Sequence, residues 1–269
     1  MNRKFWFVAF VVPVLFLITA QAGAGEVTAF APGERLEYVL KWAGIAAGDS
    51  VMEVVKGDYH DGEALYQVIS TARSRSLVDV FYKVRNRYET HIFPRDGLTR
   101  KYLFAMNEGG KRKNRLLLFD QDMHQVTRIV QEEEKTQSRV YEIPENCHDN
   151  LSSLYAMRNE DFKVGDSLSI NVFEGKKTWE LVVDVLAEEE IQVKAGKFDT
   201  YKIHPKLKFE GIFRRKGDLH VWMTRDPHHI PVLMRSEVRI GSIDAELVRF
   251  TLGEKPGEVP AGSAAGKVK

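Results

Sequence analysis

Arg35-Leu36-Glu37-Tyr38-Val39-Leu40-Lys41-Trp42 is the stretch that decides the fold. Leu36, Tyr38, Leu40 and Trp42 alternate with Glu37, Val39 and Lys41, the period of two expected of a half-buried strand. The period recurs downstream. Leu65, Gln67 and Ile69 interleave with Tyr66, Val68 and Ser70, and Trp179, Leu181, Val183 and Val185 alternate with Glu180, Val182 and Asp184. Leu219, Val221 and Met223 alternate with His220, Trp222 and Thr224. Turn-forming residues separate the runs: Lys56-Gly57-Asp58, Asp61-Gly62, Pro94-Arg95-Asp96-Gly97, Glu108-Gly109-Gly110, Lys163-Val164-Gly165-Asp166, Glu174-Gly175 and Lys216-Gly217-Asp218. Segments this short leave no room for the repeated crossover helices of a parallel sheet. The pattern predicts an all-β, mainly antiparallel fold. Its curved sheets would close as a barrel, half-barrel or clam, with one or two short helices.

Two stretches break the alternation. In Ser76 to Tyr82, Leu77, Val80 and Phe81 fall on one helical face. Asp149 to Arg158 opens on a good N-cap and spaces Leu151, Leu154 and Tyr155 helically. The second helix lies near the middle of a single β-rich domain, residues 27–252, and is expected to join its two halves. Residues 253–269 hold four Gly, two Pro and no apolar period, the pattern of a disordered tail.

The chain has 269 residues, 43% apolar and 29% charged, which excludes both a disordered chain and a polytopic membrane protein. Its 39 basic residues face 38 acidic ones, so there is no charge excess to make nucleic acid a main partner. A single cysteine, Cys147, excludes a disulfide scaffold and a multi-Cys zinc site, and reads as a small buried hydrophobe. At the N-terminus Arg3 and Lys4 precede an uncharged apolar run of 16 residues, Phe5 to Ala20. Ala20-Gln21-Ala22 and Ala22-Gly23-Ala24 then both satisfy the A-x-A cleavage pattern. A membrane span needs about 20 apolar residues, and Pro13 interrupts this run, so residues 1–24 read as a cleavable secretory signal. No cysteine follows the apolar run, and no lipid-modified N-terminus is expected. The mature chain would be periplasmic and would not span the membrane.

Several short motifs occur in a characteristic order. Pro32-Gly33-Glu34-Arg35-Leu36-Glu37-Tyr38 is followed by Trp42-Ala43-Gly44-Ile45-Ala46-Ala47-Gly48, then Asp79-Val80-Phe81-Tyr82. His148-Asp149 comes next, with Ser152-Ser153-Leu154-Tyr155 and Arg158, then Ala195-Gly196-Lys197-Phe198. Val221-Trp222-Met223-Thr224 closes the series with Asp226 and Ile230-Pro231-Val232. From about Ala29 to Leu252 the chain resembles the bacterial family catalogued as domain of unknown function 3108. The resemblance implies an exported, β-rich, cell-envelope protein. It supplies no catalytic residue to carry over.

Candidate binding residues fall into two sets. Tyr38, Trp42, Trp179 and Trp222 lie in expected strands, where aromatics either pack a core or line an apolar cavity. Lys111, Arg112, Lys113 and Arg115, with Arg214, Arg215 and Lys216, flank tight turns. There they either bind an anionic partner, such as lipid headgroups or an envelope polymer, or simply protect sheet edges. Glu132-Glu133-Glu134 reads as a solvated turn, and Gly44 and Gly48 as a bend between strands.

Catalytic constellations are weak. Asp226 and His228 share a face of an extended chain, but Pro227 and Pro231 read better as a turn. His148 and Asp149 with Ser152 and Ser153 lack the nucleophile elbow of a serine hydrolase, and Asp149 reads as a helix cap. No metal and no cofactor is expected. The sequence favours a non-catalytic envelope protein that binds a hydrophobic or lipid-like molecule in a curved sheet. A periplasmic module docking a protein or anionic polymer is the alternative, and a hydrolase using His148, Asp149, Asp226 or His228 comes third. If the leader is processed as read, N-terminal sequencing of the soluble protein begins at Gly23 or Gly25. A membrane-bound product beginning at Met1 would overturn the reading.

Overall fold

A computed structural model describes residues 20–21, 24–60, 62–132, 135–209, 212–214, 218–237 and 241–254. The strands are β1 (Ala20–Gln21), β2 (Arg35–Trp42), β3 (Ile45–His60), β4 (Glu63–Ser74), β5 (Arg85–Ile92) and β6 (Thr99–Glu108). They continue with β7 (Lys111–Asp120), β8 (Gln125–Glu132), β9 (Lys135–Glu142), β10 (Cys147–His148), β11 (Ser167–Glu174) and β12 (Lys177–Val193). The last are β13 (Gly196–Phe209), β14 (Ile212–Arg214), β15 (Leu219–Thr224), β16 (Pro231–Glu237) and β17 (Ser242–Thr251). Two short helices interrupt them, α1 (Ser76–Asp79) and α2 (Asn150–Met157).

Among the described residues all 17 strands belong to one sheet. Sequential strands pair antiparallel from β2 to β9 and from β11 to β13, and β13 carries both β14 and β15. The β17–β2 ladder joins the end of the meander to its start, while β10 and β1 run parallel to β11. The sheet is curved and unclosed, an all-β and mainly antiparallel fold. Lys56-Gly57-Asp58 is a correction to the sequence reading. The chain does not turn there but bulges within β3, and reverses at Gly62.

The apolar faces pack into two clusters. One gathers Leu36, Tyr38, Met52, Val54, Val68, Ile92, Tyr102, Leu117, Phe119 and Val126 from β2 to β8. The other gathers Leu168, Ile170, Val172, Val183, Val185, Ile203, Val221 and Met223 from β11 to β15. Helix α2 serves both: Leu151 and Tyr155 enter the first, Met157 the second, and Leu154 touches each. Asp149 caps it as the sequence predicts, accepting from Leu151 N at 2.7 Å and Ser152 N at 3.0 Å while Ser152 Oγ accepts from Asp149 N. The residues of the expected tail that are described, Gly253 and Glu254, lie on Pro32, whose carbonyl accepts from Glu254 N at 3.2 Å. A Cβ on Gly253 would sit 2.0 Å from Ala31 O, so that approach requires glycine. Residues 255–269, and residues 1–19 and 22–23 of the leader, lie outside the described residues.

A buried ion pair fixes α2 against the N-terminal approach to the sheet. Arg158, the helix C-cap, donates Nη1 to Glu34 Oε1 at 2.7 Å and Nη2 to Oε2 at 2.6 Å, with both side chains sealed from solvent. Its Nε donates to His228 O at 3.0 Å, and its guanidinium lies 4.9 Å from the Tyr155 ring centre and 5.3 Å from that of Phe30. Glu34→Leu should cost about 3–5 kcal/mol in equilibrium denaturation because it strands a buried cation. Adding Arg158→Leu should recover part of that loss. Additive losses in the double variant would show that the pair is not coupled.

Candidate ligand face

The structure disperses the four expected aromatics. Tyr38 is buried, and its hydroxyl donates to Pro231 O at 2.9 Å. Trp222 is buried, with Nε1 donating to Glu189 Oε2 at 2.6 Å. Trp42 stands 51% exposed at the end of β2. Trp179 shares its face of β12 with Val183 and Val185, which register through Ile203 to Val221. Trp222 follows Val221 and therefore faces the other way. Tyr38 and Trp222 thus pack in one apolar cluster, Trp179 lies on the opposite face of the sheet from Trp222, and Trp42 stands at the rim. Relative facing depends on strand register, which no strand's own sequence encodes.

A different set converges on the core face of β5 to β9. Register places Tyr88, Phe104, Arg115 and Val130 in one cross-strand row, and Tyr102, Leu117, Arg128 and Arg139 in the next. Tyr102 and Leu117 are core residues, so by register the three arginines share their side of the sheet; Arg115 and Arg128 are half-buried, and Arg139, on the edge strand β9, is exposed. Phe173 of β11 closes over this face, with its ring centre 5.5 Å from that of Tyr141 and 6.4 Å from that of Phe119. Arg115 lies 5.3 Å over Phe104 and reaches Glu174 Oε1 at 3.4 Å, while Arg139 lies 5.7 Å over Tyr141. Among the described residues neither Arg128 nor Arg139 has a carboxylate within ion-pair distance, and the buried Nε of Arg128 has no hydrogen-bond partner. Like charges directly opposite on a sheet repel, and an unpaired buried donor is costly.

Of the expected basic set, only Arg115 joins it. Lys111, Arg112 and Lys113 are exposed beside the β6–β7 turn; the side chain of Arg214, and Arg215 and Lys216 entirely, lie outside the described residues. The sequence reading missed Arg128 and Arg139. Their signal is phase, since each alternates with residues that prove to be inward, Val126 and Val130 in β8 and Tyr141 in β9. Ile129 and Val140 occupy the opposite phase and mask it. On the outer face of the same strands an open depression of about 400 Å³ is lined by Leu103, Ala105, Leu116 and Ile129, with Arg87 and Glu89 at its side.

The residues considered for hydrolysis hold structure instead. Asp149 is fully buried, accepting from the Thr90 and Thr99 hydroxyls at 2.6 and 2.8 Å as well as capping α2. His148 is buried beside it, and Cys147 is buried with its thiol pushed up to about 12 by desolvation. Asp226 binds its own turn, accepting from Thr224 Oγ1 and His228 N, and His228 Nδ1 lies 3.1 Å from Ala29 O. Neither group forms a nucleophile–base pair.

A curved, unclosed antiparallel sheet wrapped over one capped helix defines a β-barrel-like protein. Residues 37–248 match the model of the family described as protein of unknown function DUF3108, and the chain belongs to that family. No curated protein sequence matches it. Among solved structures it is similar to the β-barrel-like protein of domain of unknown function DUF1849 from Brucella abortus. Identity is 10%, coverage 84% of this chain and 100% of that one, and the TM-score 0.58, a likeness of fold. A candidate exported protein with a YmcC-like fold from Bacteroides fragilis (12% identity, 84% and 99% coverage, TM-score 0.34) matches more loosely. So does a candidate lipoprotein from Parabacteroides distasonis (10%, 85% and 99%, TM-score 0.38). Among the described residues no helix is long and apolar enough to cross a membrane.

Burial of His148 gives the fold a pH dependence. Desolvation lowers its pKa to about 4, below the usual imidazole value, so the folded protein holds it neutral. The unfolded chain binds the extra proton, so stability is complete above pH 6.5 and falls as the pH drops from there toward 4. The loss over that window should approach about 3 kcal/mol. His91 and His220, also lowered by burial, add to the same slope, so His148→Asn should reduce the fall of the denaturation midpoint across that window, and an unchanged pH profile in the variant would assign the dependence elsewhere.

Proposed function

We propose that this is an exported, non-catalytic envelope protein that binds an acidic, lipid-like amphiphile on the inner face of its curved sheet. The observation that carries the reading is Arg128 set directly opposite Arg139, on the side of the sheet that carries the core, with no carboxylate neutralising either among the described residues. A carboxylate or phosphate head would accept paired hydrogen bonds from the two guanidinium groups. Tyr88, Phe104 and Tyr141, partly buried and packed on a core that includes Phe173, would supply the apolar surface along which a hydrocarbon tail lies. Export is supported by Arg3, Lys4, the apolar run to Ala20 and the small residues after it.

Titration with a fluorescent long-chain fatty acid tests the reading. The wild-type protein should take up the probe saturably, and Arg128→Ala with Arg139→Ala should weaken uptake by roughly tenfold or more through loss of charge-assisted hydrogen bonds. The same pair of changes should leave stability unchanged or raise it by about 0.2–1 kcal/mol, since it relieves cross-strand repulsion. Equal uptake by wild type and variant would sink the proposal.

A further inference from the structure

A second surface lies at one end of the sheet and involves none of the inner-face residues. Leu77, Val80 and Phe81, in α1 and just after it, are 85%, 76% and 88% exposed. Trp42 and Ile45 flank the neighbouring β2–β3 turn, 51% and 74% exposed, and Tyr82 completes the group at 50%. The loops that carry these residues are fastened to one another. Arg75 N donates to Ala47 O at 2.8 Å, Gly109 N donates to Lys83 O at 3.0 Å, and the Tyr82 hydroxyl donates to Glu108 at 3.3 Å. Gly109 adopts φ 53°, and a Cβ there would come within 2.7 Å of the Tyr82 ring, so the β6–β7 turn is pressed against the α1 loop.

Leu77, Val80 and Phe81 do not hold this loop together. No residue of α1 is buried. A polar clamp at its base does that work: Arg85 donates to both oxygens of Asp79 at 2.5 and 3.0 Å, the Ser74 hydroxyl donates to Asp79, and Ser74 Oγ accepts from Val84 N at 2.8 Å. Three large apolar side chains left exposed on a loop clamped at its base mark a contact surface. Beside it stand Lys83, Lys111, Arg112 and Lys113, all exposed and, among the described residues, without an ion-pair partner.

We infer that this end of the sheet docks on an anionic phospholipid bilayer. Leu77, Val80 and Phe81 would enter the boundary between headgroups and acyl chains, Trp42 and Tyr82 would lie at headgroup level, and the four cations would meet lipid phosphates. The shape favours a bilayer over a protein. Side chains this exposed stand clear of the body, so a protein partner would need a matching apolar cavity, whereas a lipid surface yields to them. The charge complements it as well, since unpaired cations border the apolar tips on the β6–β7 side.

Co-sedimentation with vesicles tests the inference, using processed protein isolated from the cell envelope. The protein should pellet with phosphatidylethanolamine vesicles containing phosphatidylglycerol, less with phosphatidylcholine alone, and less at high salt. Leu77→Asp with Phe81→Asp should lower the vesicle partition coefficient by roughly tenfold or more while leaving the melting midpoint unchanged, because neither side chain is buried. Lys111→Glu with Arg112→Glu should weaken binding to phosphatidylglycerol vesicles and leave the phosphatidylcholine baseline where it was. Wild-type protein that stays in the supernatant with phosphatidylglycerol, or an aspartate variant that pellets like wild type, would overturn the inference. So would a concentration-dependent dimer that Phe81→Asp dissolves in the absence of any vesicle binding, since it would assign the patch to a second copy of the chain. Unchanged fatty-acid uptake by the aspartate variant would keep this surface separate from the inner face.

Discussion

The rest of the fold is arranged around the Arg158–Glu34 pair. Burying two opposite charges costs several kcal/mol per ion before their attraction is counted, and only a well-satisfied geometry recovers it. Here the geometry is bidentate, the Nε takes a backbone carbonyl, and Phe30 and Tyr155 cover the guanidinium. The pair therefore tolerates little displacement of three segments at once: the approach to β2, the end of α2 and the turn before β16. Because α2 feeds side chains into both apolar clusters, this one ion pair ties the helix they share to the approach to β2 and to the turn before β16. Capping at Asp149 fixes the other end of the same helix. A helix of eight residues is too short to be stable alone; here both of its ends are anchored by buried polar bonds.

Much of this architecture is legible in the sequence, for identifiable reasons. Period-two alternation in Leu36-to-Trp42 and its counterparts reports strand, though β15 buries Val221 and Met223 on one face and Trp222 on the other; the Asp149-to-Tyr155 pattern reports a cap followed by a helical stripe. Gly57 shows the limit. A Lys-Gly-Asp triplet reads as a turn, but in β3 it is a bulge that lets the strand continue to His60, with Leu65 O only 3.1 Å from where a Cβ would be. Glycine signals a backbone need without saying which one. Arg158 was visible only as one residue of a motif. Its partner lies 124 positions away, and nothing local in either residue announces the pair.

The binding residues are harder to read because facing is a property of the assembled sheet. Four aromatics in alternating strands look equivalent, yet a bulge or a shift of one position sends Trp179 and Trp222 to opposite faces and leaves Trp42 at the rim. The arginines are hidden by the converse effect. Strands β7 to β9 carry apolar residues in both phases, such as Leu116 with Leu117 and Ile129 with Val130, so their charged residues look like ordinary surface positions. Only the ladder that aligns Arg128 with both Leu117 and Arg139 shows that a like-charged pair shares the side of the sheet that carries the core.

The inner face and the exposed tips are linked by strand geometry. Arg115 stands four residues from Lys111 at the start of β7, and Arg128 stands four from Glu132 at the end of β8. At about 3.3 Å per residue, the arginine face begins roughly 13 Å from the end of the sheet that carries the apolar loops. A protein docked by those loops would hold the arginines just above the headgroup layer, with Phe104 and Tyr141 beside them. An acidic amphiphile leaving the bilayer would then need to lift its head by little more than the depth of that layer to meet the paired guanidinium groups. The tail could follow along the aromatic row without crossing bulk water. That arrangement would lower the main barrier to extracting a lipid, the exposure of its hydrocarbon chain, which costs about 0.8 kcal/mol for every methylene passing through water. A receptor whose acidic-head site lay at the far end of the sheet would gain no such advantage from membrane contact. A shared end would therefore let the two proposed surfaces act together.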